Sequence, residues 1–213
     1  MLILKKLVTK NNNEVRLISI EPPHYKIGQQ KTLLVVGVVH GDEWQGEKII
    51  EKMIKLPHKN RILYIPCLNP DGKQLNTRTN ANGVDLNRNF PAKNWELLPK
   101  DRYFGGNEPL SESESRFLKE IIDEYRPDAI LTLHTPFEVV NYDGPAKEIA
   151  QKMAELSSYS LKDSIGYETP GSFGSYFGLE QGYPIITLEM TETDYCEQLW
   201  KNLEDSVTYF MGI

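Results

Sequence analysis

Cysteine is nearly absent from this chain: Cys67 and Cys196 are the only two in 213 residues, far apart and without a Cys-x-x-Cys pair. Neither a disulfide scaffold nor a thiolate zinc site is indicated, and both are expected as reduced thiols. Long apolar runs are missing too. The longest, Leu33 to Val39, is broken by Gly37 and falls far short of the roughly 20 residues a bilayer crossing takes, so no membrane partner is expected. The opening MLILKKLVTKNNNEV has neither an apolar signal core nor a small-residue cleavage site, and the expected location is the cytoplasm. No stretch gathers Lys and Arg. With 30 acidic against 24 basic side chains and a net charge of −6, nucleic acid is excluded as a partner class. An anionic substrate would have to be held by a few locally placed arginines, because the global field opposes it.

What is present suits one globular domain, residues 1–213: 39% apolar and 25% charged residues can form and solvate a sizeable core. Leu2 to Val8 and Glu14 to Glu21 read as a strand pair around the polar turn Lys10 to Asn13. Thr32 to Val39 is a continuous β-branched run, as in a central strand covered on both faces. A helical pattern over Glu43 to Leu56 and a strand over Arg61 to Cys67 follow. From Leu68 to Pro109 periodicity gives way to Asn, Gly, Pro and Arg, an irregular length that compact domains seldom carry without functional reason. Ser111-x-x-Glu114 reads as a capping box for a helix ending before Pro127. Strands over Asp128 to Leu133 and Pro184 to Met190 alternate with helices over Ala146 to Ser158 and Tyr195 to Phe210. This predicts an α/β fold, a mostly parallel or mixed sheet between helical layers, with the site at strand ends.

Only four histidines occur. His24 and His58 sit beside prolines in apparent surface turns, whereas His40 and His134 each follow a buried-looking strand. Glu43 lies three residues after His40, with Gly41 freeing the turn between them. Two imidazoles and a carboxylate are ligands that zinc accepts, and three protein ligands leave the fourth position for water. In the Gly-rich segment Arg78 to Pro91, the Asn82-Gly83 turn would fold the chain back and bring Arg78 and Arg88 toward one cleft. Guanidinium groups there suit a substrate carboxylate or a developing oxyanion.

Taken in order, His40-x-x-Glu43, Asn69-Pro70-Asp71-Gly72, Arg78, Gly83-Val84-Asp85-Leu86-Asn87-Arg88-Asn89-Phe90, His134 and Glu189 resemble the zinc carboxypeptidase family. The resemblance implies a three-layer α/β/α sandwich around a mixed, about eight-stranded sheet. It implies one Zn²⁺ per chain on His40, Glu43 and His134, with Glu189 as general base, Arg78 polarising the scissile carbonyl, and Asn87 and Arg88 holding a free α-carboxylate. The wording Ala81 to Pro91 and Gly166 to Ser175 is most similar to the branch of that family acting on murein peptides. That branch implies a small muropeptide substrate cut at the γ-D-glutamyl–meso-diaminopimelate bond during cell-wall recycling, with Tyr167 as a substrate-facing lid. The chain is expected to act as a monomer or a homodimer. Two alternatives stay open: a general cytoplasmic zinc carboxypeptidase or N-acyl amino acid deacylase, and a muropeptide-binding sensor without catalysis.

Overall fold

A computed structural model describes residues 1–163 and 168–213. Its elements are strands β1 (Leu2–Val8), β2 (Glu14–Ile20) and β3 (Thr32–Gly37), helix α1 (Gln45–Met53), strand β4 (Arg61–Ile65) and helices α2 (Pro70–Leu75) and α3 (Ser113–Tyr125). Strands β5 (Ala129–His134) and β6 (Val139–Asp143), helix α4 (Lys147–Ser157), strands β7 (Ser160–Lys162) and β8 (Ile185–Glu189), and helix α5 (Cys196–Gly212) complete the order. The strands form one eight-stranded mixed sheet in the order β1-β2-β4-β3-β5-β8-β6-β7. Pairs β4/β3, β3/β5, β5/β8 and β6/β7 are parallel, while β1/β2, β2/β4 and β6/β8 are antiparallel.

Side-chain alternation along the central strands divides the apolar residues between two cores. Leu33, Val35, Ile62, Tyr64, Leu131 and Leu133 pack under α1, α4 and α5, whereas Leu34, Val36, Leu63, Ile65 and Ile130 pack under α3 and the segment carrying Leu68, Leu86 and Phe90. Both faces of the sheet are thereby covered, which is why these strands read as unbroken apolar runs rather than alternating ones. The layering is the expected α/β/α sandwich.

Topology places the site. Strand β3 lies between β4 and β5; the chain leaves it through α1 on one face and returns to its other side through α3 on the opposite face. Such a reversal opens a crevice at the carboxyl ends of the two strands, where open α/β sheets bind ligands. His40 and His134 stand at the ends of those strands.

Several local expectations need correction. The stretch after Leu68 contains α2, whose first turn is capped by Asn69 Oδ1 accepting from the Gly72 amide at 2.9 Å, and a 3₁₀ turn at Leu86–Arg88 capped by Asp85. The Ser111 capping box does not form. Helix α3 begins at Ser113 with Glu112 at the cap, because Ser111 Oγ is bonded to Asn89 Nδ2 at 2.9 Å and donates to Glu112 at 2.8 Å. Strands β6 and β7 escape a periodicity reading because Val139-Val140 is followed by Asn, Tyr and Asp, and β7 is only three residues long. His58 is half-buried rather than solvated, with Nε2 2.8 Å from the Tyr64 hydroxyl.

Candidate active site

Chain direction changes sharply where β3 ends. Val38 takes a positive φ of 50°, and Gly41 lies so close to α2 that a Cβ there would come within 2.0 Å of the Gly72 carbonyl carbon. Glycine is therefore required at 41, and the tight passage turns His40 and Glu43 into the same buried point. His40, Glu43 and His134 are 3, 7 and 3% exposed. His40 Nδ1 lies 2.8 Å from Glu43 Oε1, His134 Nδ1 2.8 Å from Glu43 Oε2, and the two Nδ1 atoms 3.2 Å from each other. One ligand atom from each residue falls within a 4.8 Å cluster.

Asp85 holds this cluster from behind. Wholly buried, its carboxylate meets His40 Nε2 at 3.2 Å, Arg78 Nε at 2.8 Å and the Asn87 amide at 2.9 Å. A carboxylate on Nε2 favours the tautomer whose proton sits there, leaving the Nδ1 lone pair facing Glu43 and His134. Two such nitrogens converging on a carboxylate are the donors zinc accepts. The residues present therefore fit a divalent metal.

The electrostatics show the same demand for a cation. Burial opposes a charged His40, yet Glu43 and Asp85 outweigh it and hold the ring up at about 9. Burial likewise opposes charge on Glu43 and Asp85, but both carboxyls stay well below the usual carboxylate range: Glu43 beside His40 and His134, and Asp85 beside His40 and Arg78. In the protein alone, the His40 proton supplies positive charge that a metal ion would otherwise supply.

Glu189 closes β8 in register with His134 of β5. Burial first, and Glu43 with it, push its carboxyl up to about 7 against the opposing pull of the histidines and Arg78. Its Oε2 is buried without a hydrogen-bond partner among the described residues. A cavity of about 380 Å³ opens onto Glu189 and His134 and is bordered by Asn87, Asn94 and Phe173. Arg78 Nη1 reaches to 3.7 Å from Glu43 Oε1. Arg88 is buried and its Nη1 donates to the Asn87 carbonyl at 2.7 Å, while Asn87 Oδ1 accepts from the Phe173 amide at 2.9 Å. Tyr103 gathers the two arginines, with its ring centroid 5.2 Å from the Arg78 guanidinium carbon and 6.0 Å from that of Arg88. Seven of the eight residues singled out from sequence are thus described around one crevice; Tyr167 lies outside the described residues. Asp85 and Tyr103 were not singled out. Asp85 carried a signal in its place between Arg78 and Asn87-Arg88, whereas Tyr103 carried none.

The crevice, the His-Glu-His cluster and the sheet topology define the class. The family model for zinc carboxypeptidases matches residues 8–176, and the chain belongs to that family. Murein peptide amidase A of Escherichia coli K12 is 36% identical over 157 residues, covering 67% of this chain and 64% of the relative; the chain thus spans less than two thirds of that relative. The crystal structure of a murein-tripeptide amidase from Escherichia coli O157 superposes with a TM-score of 0.82 at 29% identity, covering 95% of this chain and 89% of the other. Carboxypeptidase A from Helicoverpa armigera shares the fold with a TM-score of 0.81 at 17% identity, over 97% and 67% of the two chains.

Proposed function

We propose that residues 1–213 form a single catalytic unit, a zinc-dependent amidohydrolase that cleaves the γ-D-glutamyl–meso-diaminopimelate bond of murein tripeptides in cytoplasmic cell-wall recycling. The observation carrying this reading is the convergence of two Nδ1 atoms and the Glu43 carboxylate beside Glu189, whose Oε2 has no hydrogen-bond partner among the described residues. His40, Glu43 and His134 would hold one Zn²⁺, which when bound polarises a carbonyl and makes water acidic enough to attack near neutral pH.

The chain's own groups do the rest. Glu189 takes the attacking water's proton at its buried carboxylate and returns it to the departing amine, a role its raised pKa suits. Arg78, oriented through Nε by Asp85, presents positive charge to the oxygen on which negative charge develops. Asn87 and Arg88 grip the α-carboxylate of the released residue; with Asn87 Oδ1 fixed by the Phe173 amide, its Nδ2 is the donor. The two amidase relatives favour the murein substrate over a general carboxypeptidase.

Mass spectrometry of L-Ala-γ-D-Glu-meso-diaminopimelate after incubation with zinc-loaded protein tests this directly. Release of diaminopimelate, abolished by a chelator, is the expected result. Intact tripeptide alongside cleavage of α-linked L-peptides would replace the reading with a general carboxypeptidase.

A further inference from the structure

With Asn87 and Arg88 on the released residue, the acyl portion of the substrate leaves the scissile carbonyl on its other side, beside Arg78. The chain presents cations there. Tyr103, 42% exposed, has three guanidinium carbons against its ring: that of Arg78 at 5.2 Å from the centroid, that of Arg102 at 5.5 Å and that of Arg88 at 6.0 Å. In a chain with a net charge of −6, three arginines around one ring make a local positive field against the global one. Arg78 and Arg88 have roles in the hydrolysis; Arg102 has none.

Arg102 is placed from the site outward. The amide of Asp85, whose side chain holds His40 and Arg78, donates to the carbonyl of buried Phe104 at 2.8 Å. The turn before it closes through the Tyr103 amide donating to Asp101 Oδ1 at 2.8 Å and the Phe104 amide donating to the Asp101 carbonyl at 3.2 Å. Apart from the Tyr103 ring, the partner of Arg102 among the described residues is Asp42, with Nη2 3.9 Å from Oδ2, which is longer than a hydrogen bond. Asp42 lies between His40 and Glu43, so this contact ties Arg102 to the turn that carries two metal-facing residues. A guanidinium offers five N–H donors, and those of Arg102 make no hydrogen bond to any described residue while its side chain is 61% exposed. A groove of about 590 Å³ adjoins Arg102 and Lys100 and is bordered also by Thr79, Gly83 and Phe104. The carboxylates on its wall are engaged within the protein: Glu112 accepts from Asn80 Nδ2 and Asn82 Nδ2 at 2.7 Å each, and Asp101 closes the turn.

We propose that Arg102 sets specificity on the acyl side of the scissile amide by receiving a carboxylate carried a few bonds from the carbonyl. The inference rests on the amide hydrolysis proposed above and names what that reading leaves open, the recognition of the acyl donor. A γ-linked glutamyl residue carries its free α-carboxylate four bonds from the carbonyl carbon, about 5 Å at full extension. With the carbonyl oxygen at Arg78, that carboxylate reaches the next guanidinium along the Tyr103 ring. The planar N–H pairs of Arg102 match a carboxylate edge to edge. The single long contact with Asp42 orients Arg102 and leaves its other N–H groups to the substrate, while the remainder of the acyl chain enters the groove beside Lys100.

The test compares two peptides on the zinc-loaded protein, L-Ala-γ-D-Glu-meso-diaminopimelate and the same peptide with the α-carboxylate of D-Glu replaced by a carboxamide of the same shape. A charge-assisted contact on a partly exposed arginine predicts a preference of about 5- to 30-fold in kcat/KM for the carboxylate peptide. In Arg102→Gln the ratio is expected to fall close to one, with the loss on the carboxylate peptide lying in KM. A ratio near one in the unaltered protein overturns the proposal, and so does an undiminished ratio in Arg102→Gln, including equal losses on both peptides. Arg102→Met, which keeps the apolar stem and removes the charge, gives a second variant should the first fail to fold. If neither peptide is cut, the hydrolytic reading fails separately. Arg102 is then judged by calorimetric binding of the same two uncut peptides: a preference for the carboxylate that is lost in the variant supports it, and equal binding of both to the unaltered protein overturns it.

Discussion

The central strands and the segment between β4 and α3 both bury side chains, but by opposite means. Strands β3 and β5 contribute Leu33 to Val36 and Ile130, Leu131 and Leu133 at 0% exposure, where apolar surface leaves water and each side chain is replaceable by another of similar volume. The segment after β4 buries polar groups instead: Asn69, Asp71, Asn80, Asp85 and Asn89 are all at most 3% exposed. Asn89 alone donates to the Gly105 carbonyl at 2.7 Å and to Ser111 Oγ at 2.9 Å, and accepts from the Glu112 amide at 3.2 Å. Each of these side chains stands in for a regular secondary-structure bond. One region is built from apolar volume and provides the frame; in the other, buried polar side chains are each bonded to particular partners and aim the chemistry.

The largest expected difference lies in turnover. Glu189→Gln removes the proton carrier without touching the three metal-facing residues, so kcat should fall by about 10²–10⁴-fold while zinc content is unchanged; single-turnover kinetics beside elemental analysis checks both. Next, Asp85→Ala leaves His40 Nε2 and Arg78 Nε without their carboxylate. Zinc affinity should drop about 10- to 100-fold, measurable by competition with a chromophoric chelator, and an unchanged affinity would mean that the polar segment does not position the ligands.

Volume-conserving exchanges sharpen the contrast between the regions. Leu131→Met should cost less than about 1.5 kcal/mol, whereas Asn89→Leu, of similar size, strands buried donors and acceptors and should cost about 3 kcal/mol or more. Denaturant titration of the two variants reads the difference, and equal losses would erase the distinction.

A further contrast concerns pH in the metal-free protein. His40 is held at about 9 against an ordinary 6.5, so folded protein keeps a proton that the unfolded chain releases. The corresponding stabilisation is fully present below pH 6.5 and is lost as pH rises toward 9; between pH 6.5 and 8 the metal-free protein should lose roughly 2 kcal/mol. In the zinc-loaded protein the metal replaces that proton, and this slope should disappear. Thermal melts at several pH values with and without zinc decide it.

This contrast also explains how far the sequence was legible. The frame was readable because apolar runs such as Thr32 to Val39 encode burial residue by residue. Its weak spots, β6 and β7, are short strands at one side of the sheet where polar residues break the run. The crevice was legible at its histidines, which stand where strands end, and through the ordered resemblance that reached Glu189. Asp85 as the partner of His40, and Tyr103 against both arginines, depend on chain reversals between residues far apart in number. Ser111 shows the same limit from the other side: its local pattern favours a cap, and the contact with Asn89 overrides it.

The most direct measurement is zinc stoichiometry after desalting, compared between the unaltered protein, Glu189→Gln and His134→Ala. One zinc per chain in the first two and its loss in the third is the expected result, since His134 supplies one of three converging donors. A His134→Ala protein that keeps one zinc at undiminished affinity would show that the metal does not sit between the ends of β3 and β5.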